Sequence, residues 1–286
     1  MGRGKSKQTL ALIGECYKIL EDLQPTTVRG VCYQLFIREL IPRMIKKETN
    51  KISKLLRGAR EDGLIPWEWL VDETRAPETV SQWLDPADYA DCFVTGYRKN
   101  FWQYQPERLE VWSEKGTIRG VLGPILDKYA VTLRVNHGYV SSTSAHDIAL
   151  QNFGSIPLIA LYSGDWDPSG LDMSEDLPRR IERYGGNVEV IRIALTEADT
   201  RSGLPPFLAE TKILDPRHKW FVQNYGETCW ELDALPADRL RARLEGHILA
   251  HLDKVAWDRC KIAEAAERDS IAEVGSVLSK EQWAML

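Results

Sequence analysis

Ile156-Pro-Leu-Ile-Ala-Leu-Tyr-Ser-Gly-Asp165-Trp166-Asp167-Pro168-Ser169-Gly170 is the stretch on which the reading of this chain turns. An apolar run broken by one proline passes directly into Gly164, two aspartates one residue apart, and Pro-Ser-Gly. That order spells a buried strand, an acidic loop and the start of a helix. In an open α/β sheet, the loops at the carboxyl ends of strands are where ligands bind. Two carboxylates there offer hard oxygen donors, which suit Mg²⁺ better than softer metals. The same residues carry a plainer reading, because Asp167 before Pro168 is also an N-cap with proline at the first helical position.

Outward from this stretch the alternation of strand and helix repeats. Leu109-Glu-Val-Trp-Ser-Glu114-Lys115-Gly116 reads as a strand running into Glu114, followed by a helix carrying Ile118, Val121, Leu122, Ile125 and Leu126. Val131 to Val135 is a second strand, followed by the loop 136–144, which holds His137 and three serines, and a helix from about 145 to 153. After the acidic loop come a helix to about 184 and a strand from Val188 to Ala194. Four alternations make a mostly parallel sheet with right-handed crossovers, an α/β fold. Glu114, the 136–144 loop and Asp165/Asp167 then all stand at strand carboxyl ends and can converge. Three oxygen ligands can hold one or two Mg²⁺ ions that polarise a phosphodiester. Each acid taken singly is as well explained as a helix-terminus charge; their conjunction points to chemistry.

The N-terminal region has a different character. Leu10, Leu12, Ile13, Tyr17, Ile19, Leu20 and Leu23 predict a helix over 8–24 that ends at Pro25. Thr26-Thr27 then offers a cap to a second helix, which places Arg29 and Tyr33 four apart on one face. After Pro42 a basic segment predicts a third helix with Ile52, Leu55, Leu56 and Ala59 as its apolar stripe. Lys51, Lys54 and Arg57 on that helix are spaced to reach DNA phosphates, with Lys115 a further candidate beside Glu114. Basic residues on a solvated helix face are also commonplace. The apolar, aromatic stretch Leu64 to Val71 suits a strand or hairpin. Three helices and a hairpin are the outline of a winged helix-turn-helix domain over 1–75. A linker is expected over 76–106, the sheet domain over 107–200, and a largely helical C-terminal extension over 201–286 that packs on the sheet or at a dimer interface.

Composition agrees with an ordinary globular protein of 286 residues and net charge −5. The first 70 residues carry 13 Lys and Arg against 8 Asp and Glu, so the N-terminal quarter is near +5 and the remainder near −10. Only the first part looks like a partner for phosphates. The five cysteines are widely spread without a C-x-x-C pair, which reads as reduced thiols rather than a disulfide or zinc framework. His247 and His251 have the spacing of two ligands on one helix face, but no glutamate follows His247, so they read as ordinary helix residues. No apolar stretch has the length of a membrane span and the start lacks a secretory signal, so a cytoplasmic protein is expected.

These residues carry a family resemblance. Trp112-Ser-Glu114-Lys-Gly and Gly164-Asp-Trp-Asp-Pro-Ser-Gly170 resemble the Toprim domain of topoisomerases, primases and related nucleases. Placed after Thr27-Val-Arg29-Gly-Val-Cys-Tyr33, and with Trp230-Glu-Leu-Asp-Ala-Leu-Pro236 near the end, they resemble the DNA-cleaving A subunit of topoisomerase VI, in its compact phage and mobile-element form. The resemblance implies that Tyr33 attacks a DNA phosphate to leave a 5′-phosphotyrosyl link, that Arg29 binds the phosphate, and that Glu114, Asp165 and Asp167 hold Mg²⁺. It also implies double-stranded DNA as substrate, a homodimer in which the tyrosine of one subunit meets the acids of the other, and a separate ATPase B-like subunit for strand passage. Cys32 stands where the family often has a second aromatic before the tyrosine. Two alternatives are a hydrolytic nuclease with water as nucleophile, resembling the nuclease subunit of the Wadjet plasmid-defence system, and a non-catalytic DNA-binding module.

Overall fold

A computed structural model describes residues 6–71, 80–136, 140–152 and 156–278. Helix α1 (Lys7–Leu23) starts where the Ser6 hydroxyl accepts the Thr9 N–H, and it buries Ile13, Cys16, Ile19 and Leu20. Helix α2 (Val28–Ile37) starts where Thr27 caps the Gly30 N–H at 2.9 Å. Helix α3 (Lys46–Glu61) buries Ile52, Leu56 and Ala59, and its basic positions are left on the other face. The three share one core with Val31, Leu35 and Ile65. No strand or hairpin covers 64–71. Trp67–Trp69 forms a 3-10 turn and Leu70 makes a single parallel bridge to Thr26. Pro66 has no N–H to give a ladder, and the flanking aromatics find partners locally. Trp69 lies 4.9 Å from the Tyr17 ring, and Arg60 sits 4.2 Å above Trp67.

Helix α4 (Pro86–Gly96) follows and belongs to a second unit, described below. The sheet comprises β1 (Arg108–Ser113), β2 (Thr132–Val135), β3 (Leu158–Ser163) and β4 (Val188–Ala194) in the order β2-β1-β3-β4. Helices α5 (Ile118–Tyr129), α6 (Ser142–Asn152) and α7 (Pro168–Arg183) connect them. β1 runs parallel to β2, with Ser113 opposite Val135, and β3 runs parallel to β4, with Ser163 opposite Ala194. The carboxyl ends of the paired strands are therefore level with each other. Every residue of β3 is buried, as expected of a central parallel strand covered on both faces. Trp112, Ile148, Leu158, Ala160, Leu177 and Ile181 pack one side of it.

Beyond the sheet come α8 (Glu197–Thr200), a two-stranded antiparallel pair of β5 (Phe207–Leu208) and β6 (Thr228–Cys229), α9 (His218–Tyr225) and α10 (Ala237–His251). These residues, up to 250, form one compact unit with 1–75 and the sheet. The second unit joins 76–108 to 251–286. The segment expected as a linker is thus part of a packed unit, and the C-terminal extension is divided between the two. Within the second unit α4 lies along α11 (Lys254–Leu278), and Trp257 meets Phe101 edge-on at 4.6 Å. Glu267 accepts from Tyr97 at 2.6 Å and pairs with Lys99 at 2.5 Å. Among the described residues no helix is long and apolar enough to cross a membrane.

Candidate active site

The acidic loop begins pinned to its neighbour strand. Gly164 N–H donates to the Ala194 carbonyl at 2.7 Å, and Leu195 N–H returns a bond to Gly164 at 2.9 Å. The Tyr162 ring lies so close to Gly164 that an added Cβ would fall 2.7 Å from it, which is why glycine follows the strand. Asp167 takes the N-cap position its sequence offers. Its Oδ1 caps α7 by accepting from Gly170 N–H at 2.8 Å and Ser169 hydroxyl at 2.9 Å, and its Oδ2 pairs with Lys212 at 2.9 Å. Burial works to raise the Asp167 carboxyl, but the Gly170 N–H and Lys212 outweigh it and hold the group below the ordinary carboxylate range.

Asp165 is almost fully buried, and its Oδ1 accepts from Leu232 N–H at 2.7 Å and pairs with Lys115 at 2.8 Å. Burial lifts its carboxyl above the usual value even against these bonds. Glu114 accepts the backbone N–H of Asp165 and lines a small cavity with Ser113, Tyr162 and Arg180. Burial first, then the charges of Asp165 and Asp167, hold Glu114 above its ordinary value. The three acids named from the sequence therefore sense one another electrostatically.

Arg192 of β4 holds the loop from beneath. Its guanidinium donates to the carbonyls of Leu195 (2.6 Å), Gly164 (3.1 Å), Gly170 (3.0 Å) and Asp165, and to the Ser174 hydroxyl at 3.1 Å. It also stacks over Tyr162 and Trp166, at 5.2 and 5.7 Å from the ring centroids. A charge placed among carbonyl dipoles and aromatic faces fixes the loop without occupying a carboxylate.

The segment 230–235 forms the other wall. Trp166 and Trp230 exchange two backbone bonds of 2.8 and 3.0 Å, so this segment lies edge to edge with the acidic loop. Its two acids reach away from the loop toward α2. Glu231 Oε2 accepts from the Tyr33 hydroxyl at 3.0 Å and from Arg29 Nε at 2.5 Å. Asp233 accepts from Thr27 at 3.1 Å and pairs with Lys115 at 3.0 Å. Lys115 thus stands between Asp233 and Asp165, and these acids raise its ammonium well above the usual lysine value although burial opposes them. Tyr33 and Arg29 meet on Glu231, and Lys115 joins Asp165 to Asp233, so the 231–233 backbone carries both clusters within a single chain. Burial, then Glu231, pushes the Tyr33 phenol well up from its ordinary value, and the ring is only 4 % exposed.

Lys51 and Lys54 sit on α3 beside a groove of about 490 Å³ shared with Ser6, Gln8 and Thr9 of the first helix. Arg57 is exposed and pairs loosely with Glu61 at 3.7 Å. Lys115, expected to reach DNA, pairs with buried Asp165 and half-buried Asp233. Residues 137–139 of the 136–144 loop, His137 among them, lie outside the described residues; Ser141 caps Ser144 N–H at 3.0 Å. Glu231, Asp233 and Arg192 escaped the residue-by-residue reading. Glu231 and Asp233 carry a signal, an acidic pair at i and i+2 beside a tryptophan like Asp165-Trp166-Asp167.

Among the described residues no group of three His, Cys, Asp or Glu is gathered tightly enough to form a ready metal site. The donor chemistry nonetheless fits a hard divalent cation. Both bonds to Asp165 fall on Oδ1, and Glu114, raised first by burial and then by the two aspartate charges, is a carboxylate that a cation would stabilise. No family model, curated protein or solved structure matches the chain.

Proposed function

We propose that this chain is a Mg²⁺-dependent DNA strand-breaking enzyme resembling the topoisomerase VI A subunit, with a winged-helix-like N-terminal region, a Toprim-like sheet and Tyr33 as nucleophile. The observation that supports it best is the 230–235 segment, which pairs with the acidic loop on one side and holds Tyr33 and Arg29 on the other. A tyrosine and the acidic loop have no structural need to be held by the same short segment.

In this reading Glu114, Asp165 and Asp167 hold the metal, and Arg192 keeps the loop that carries two of them in place. Bound there, Mg²⁺ supplies Lewis-acid polarisation of a phosphodiester oxygen. Tyr33 Oη attacks the phosphorus, leaving the 5′-phosphate on the tyrosine and a free 3′-hydroxyl. Arg29, whose side chain is 45 % exposed, is the cation free enough to turn toward the phosphate. The exposed lysines of α3 supply non-specific contacts to the duplex. Two copies of the chain, each cutting one strand, produce a double-strand break, and strand passage needs a separate ATPase subunit.

A second reading, a hydrolytic nuclease using the same acids with water, draws support from one observation. Tyr33 is buried, with an anion rather than a bare cation at its hydroxyl. Supercoiled plasmid incubated with the protein and Mg²⁺, quenched with detergent and run with and without protease, separates the two. Protein-linked ends that vanish in both Tyr33→Phe and Asp165→Ala are expected. Undiminished cutting by Tyr33→Phe, with Asp165→Ala inactive, would establish the hydrolytic nuclease instead.

A further inference from the structure

We propose that Glu231 is the general base of the cleavage step: its Oε2 takes the Tyr33 hydroxyl proton as Oη attacks the DNA phosphorus. The assignment rests on the reading of Tyr33 as nucleophile given above. It starts from geometry, since Tyr33 Oη donates to Oε2 at 3.0 Å, within the reach required of a base. The base is itself oriented by a third group, because Arg29 bonds the same oxygen through Nε and pairs with it through its terminal nitrogen. Nucleophile, base and orienting group in that order are the arrangement by which a weak hydroxyl nucleophile is activated.

The backbone around Glu231 is held on both sides. Trp230 is bonded twice to Trp166, and Leu232 N–H is bonded to Asp165, so the carboxylate keeps a fixed distance from the acidic loop while it faces α2. The ionisable groups around it are Arg29 and Tyr33 of α2, Lys115 after β1, and Asp233 two residues on. Arg29 makes the base responsive to substrate. When Arg29 turns to the DNA phosphate, Oε2 is left to the Tyr33 hydroxyl alone as the phosphorus comes within reach of Tyr33.

The step balances without an oxidant or reductant. The Oη–P bond forms, the P–O3′ bond breaks, the phenolic proton passes to Glu231, and the departing 3′ oxygen takes a proton from solvent water. In resealing, protonated Glu231 returns its proton to Tyr33 as the 3′-hydroxyl, losing its own proton to water, displaces the tyrosine.

The test uses the full chain, supercoiled plasmid and Mg²⁺, with the yield of covalent protein–DNA adduct as readout. Glu231→Gln keeps the size of the side chain and its bond to the tyrosine but cannot accept the proton. It is expected to lower the adduct-forming rate by about 10²- to 10⁴-fold, with plasmid retention in a gel shift unchanged. Replacing Tyr33 by a fluorinated tyrosine, whose phenol is more acidic, should restore adducts in the Glu231→Gln background; a merely structural glutamate would not give that rescue. Native adduct rates from Glu231→Gln, or a loss that fluorination leaves untouched, would overturn the assignment and leave Tyr33 as nucleophile. Cutting by Tyr33→Phe with unmodified ends would remove the tyrosine reading itself, and the assignment with it.

Discussion

Glu114 is buried beside two other acids, and a carboxylate in that position works against the fold. Its folded-state value lies above the ordinary 4.5 because burial disfavours the charge and Asp165 and Asp167 repel it. The native state therefore holds this proton more tightly than the unfolded chain. The resulting penalty is absent below 4.5, grows as pH rises through the interval up to the folded-state value, and is complete above it. Glu114→Gln is expected to raise stability by about 1 kcal/mol at pH 8, to change little at pH 4, and to abolish cleavage, as replacements at strained functional sites do. Urea midpoints at the two pH values check it, and equal effects at both would show that the charge is not the source. Glu114, Asp165 and Asp167 were legible in the sequence as acids at strand ends. Their lysines were not, and neither was the bond from Tyr33 to Glu231. That bond spans 198 residues, a distance at which no local pattern reports.

At the scale of elements, the alternation of strand and helix was legible because apolar runs of strand length and helical periodicities survive in sequence. The hairpin expected over 64–71 failed where Pro66 and paired aromatics favoured a turn. The acidic-loop wall at 230–235 left even less trace, because its strand character consists of one bridge to Trp166. One other inter-element tie offers a clean test. Asp199 of α8 is buried, accepts from Arg243 of α10 at 2.7 Å on both oxygens, and closes a capping box with Thr196. Burial would raise its carboxyl, but Arg243 and Thr196 hold it below its ordinary 3.8. Its stabilisation is therefore present above 3.8 and is lost as pH falls through the folded-state value. Asp199→Asn should cost about 3 kcal/mol at pH 7, the scale for breaking a buried pair, and progressively less as pH falls below 3.8. A pH-independent difference in denaturant midpoint would show that packing, not the ion pair, carries the effect.

For the whole molecule, the two-unit division was illegible because the partner of residues 76–108 lies at the far end of the chain; the bond from Tyr97 to Glu267 spans 170 residues. Tyr33 and Asp165, by contrast, are both tied to residues 231–232 of one chain. Mixing Tyr33→Phe with Asp165→Ala protein is accordingly expected to restore no plasmid cleavage, since each chain lacks one member of its own site. Recovered nicking would place the working pair across two subunits. On the proposed function, the lysines on Asp165 and Asp167 have a further consequence. A bare cluster of acids would repel a polyanion, most strongly at low salt. With an ammonium resting on each aspartate, part of that repulsion is removed from the edge of the sheet.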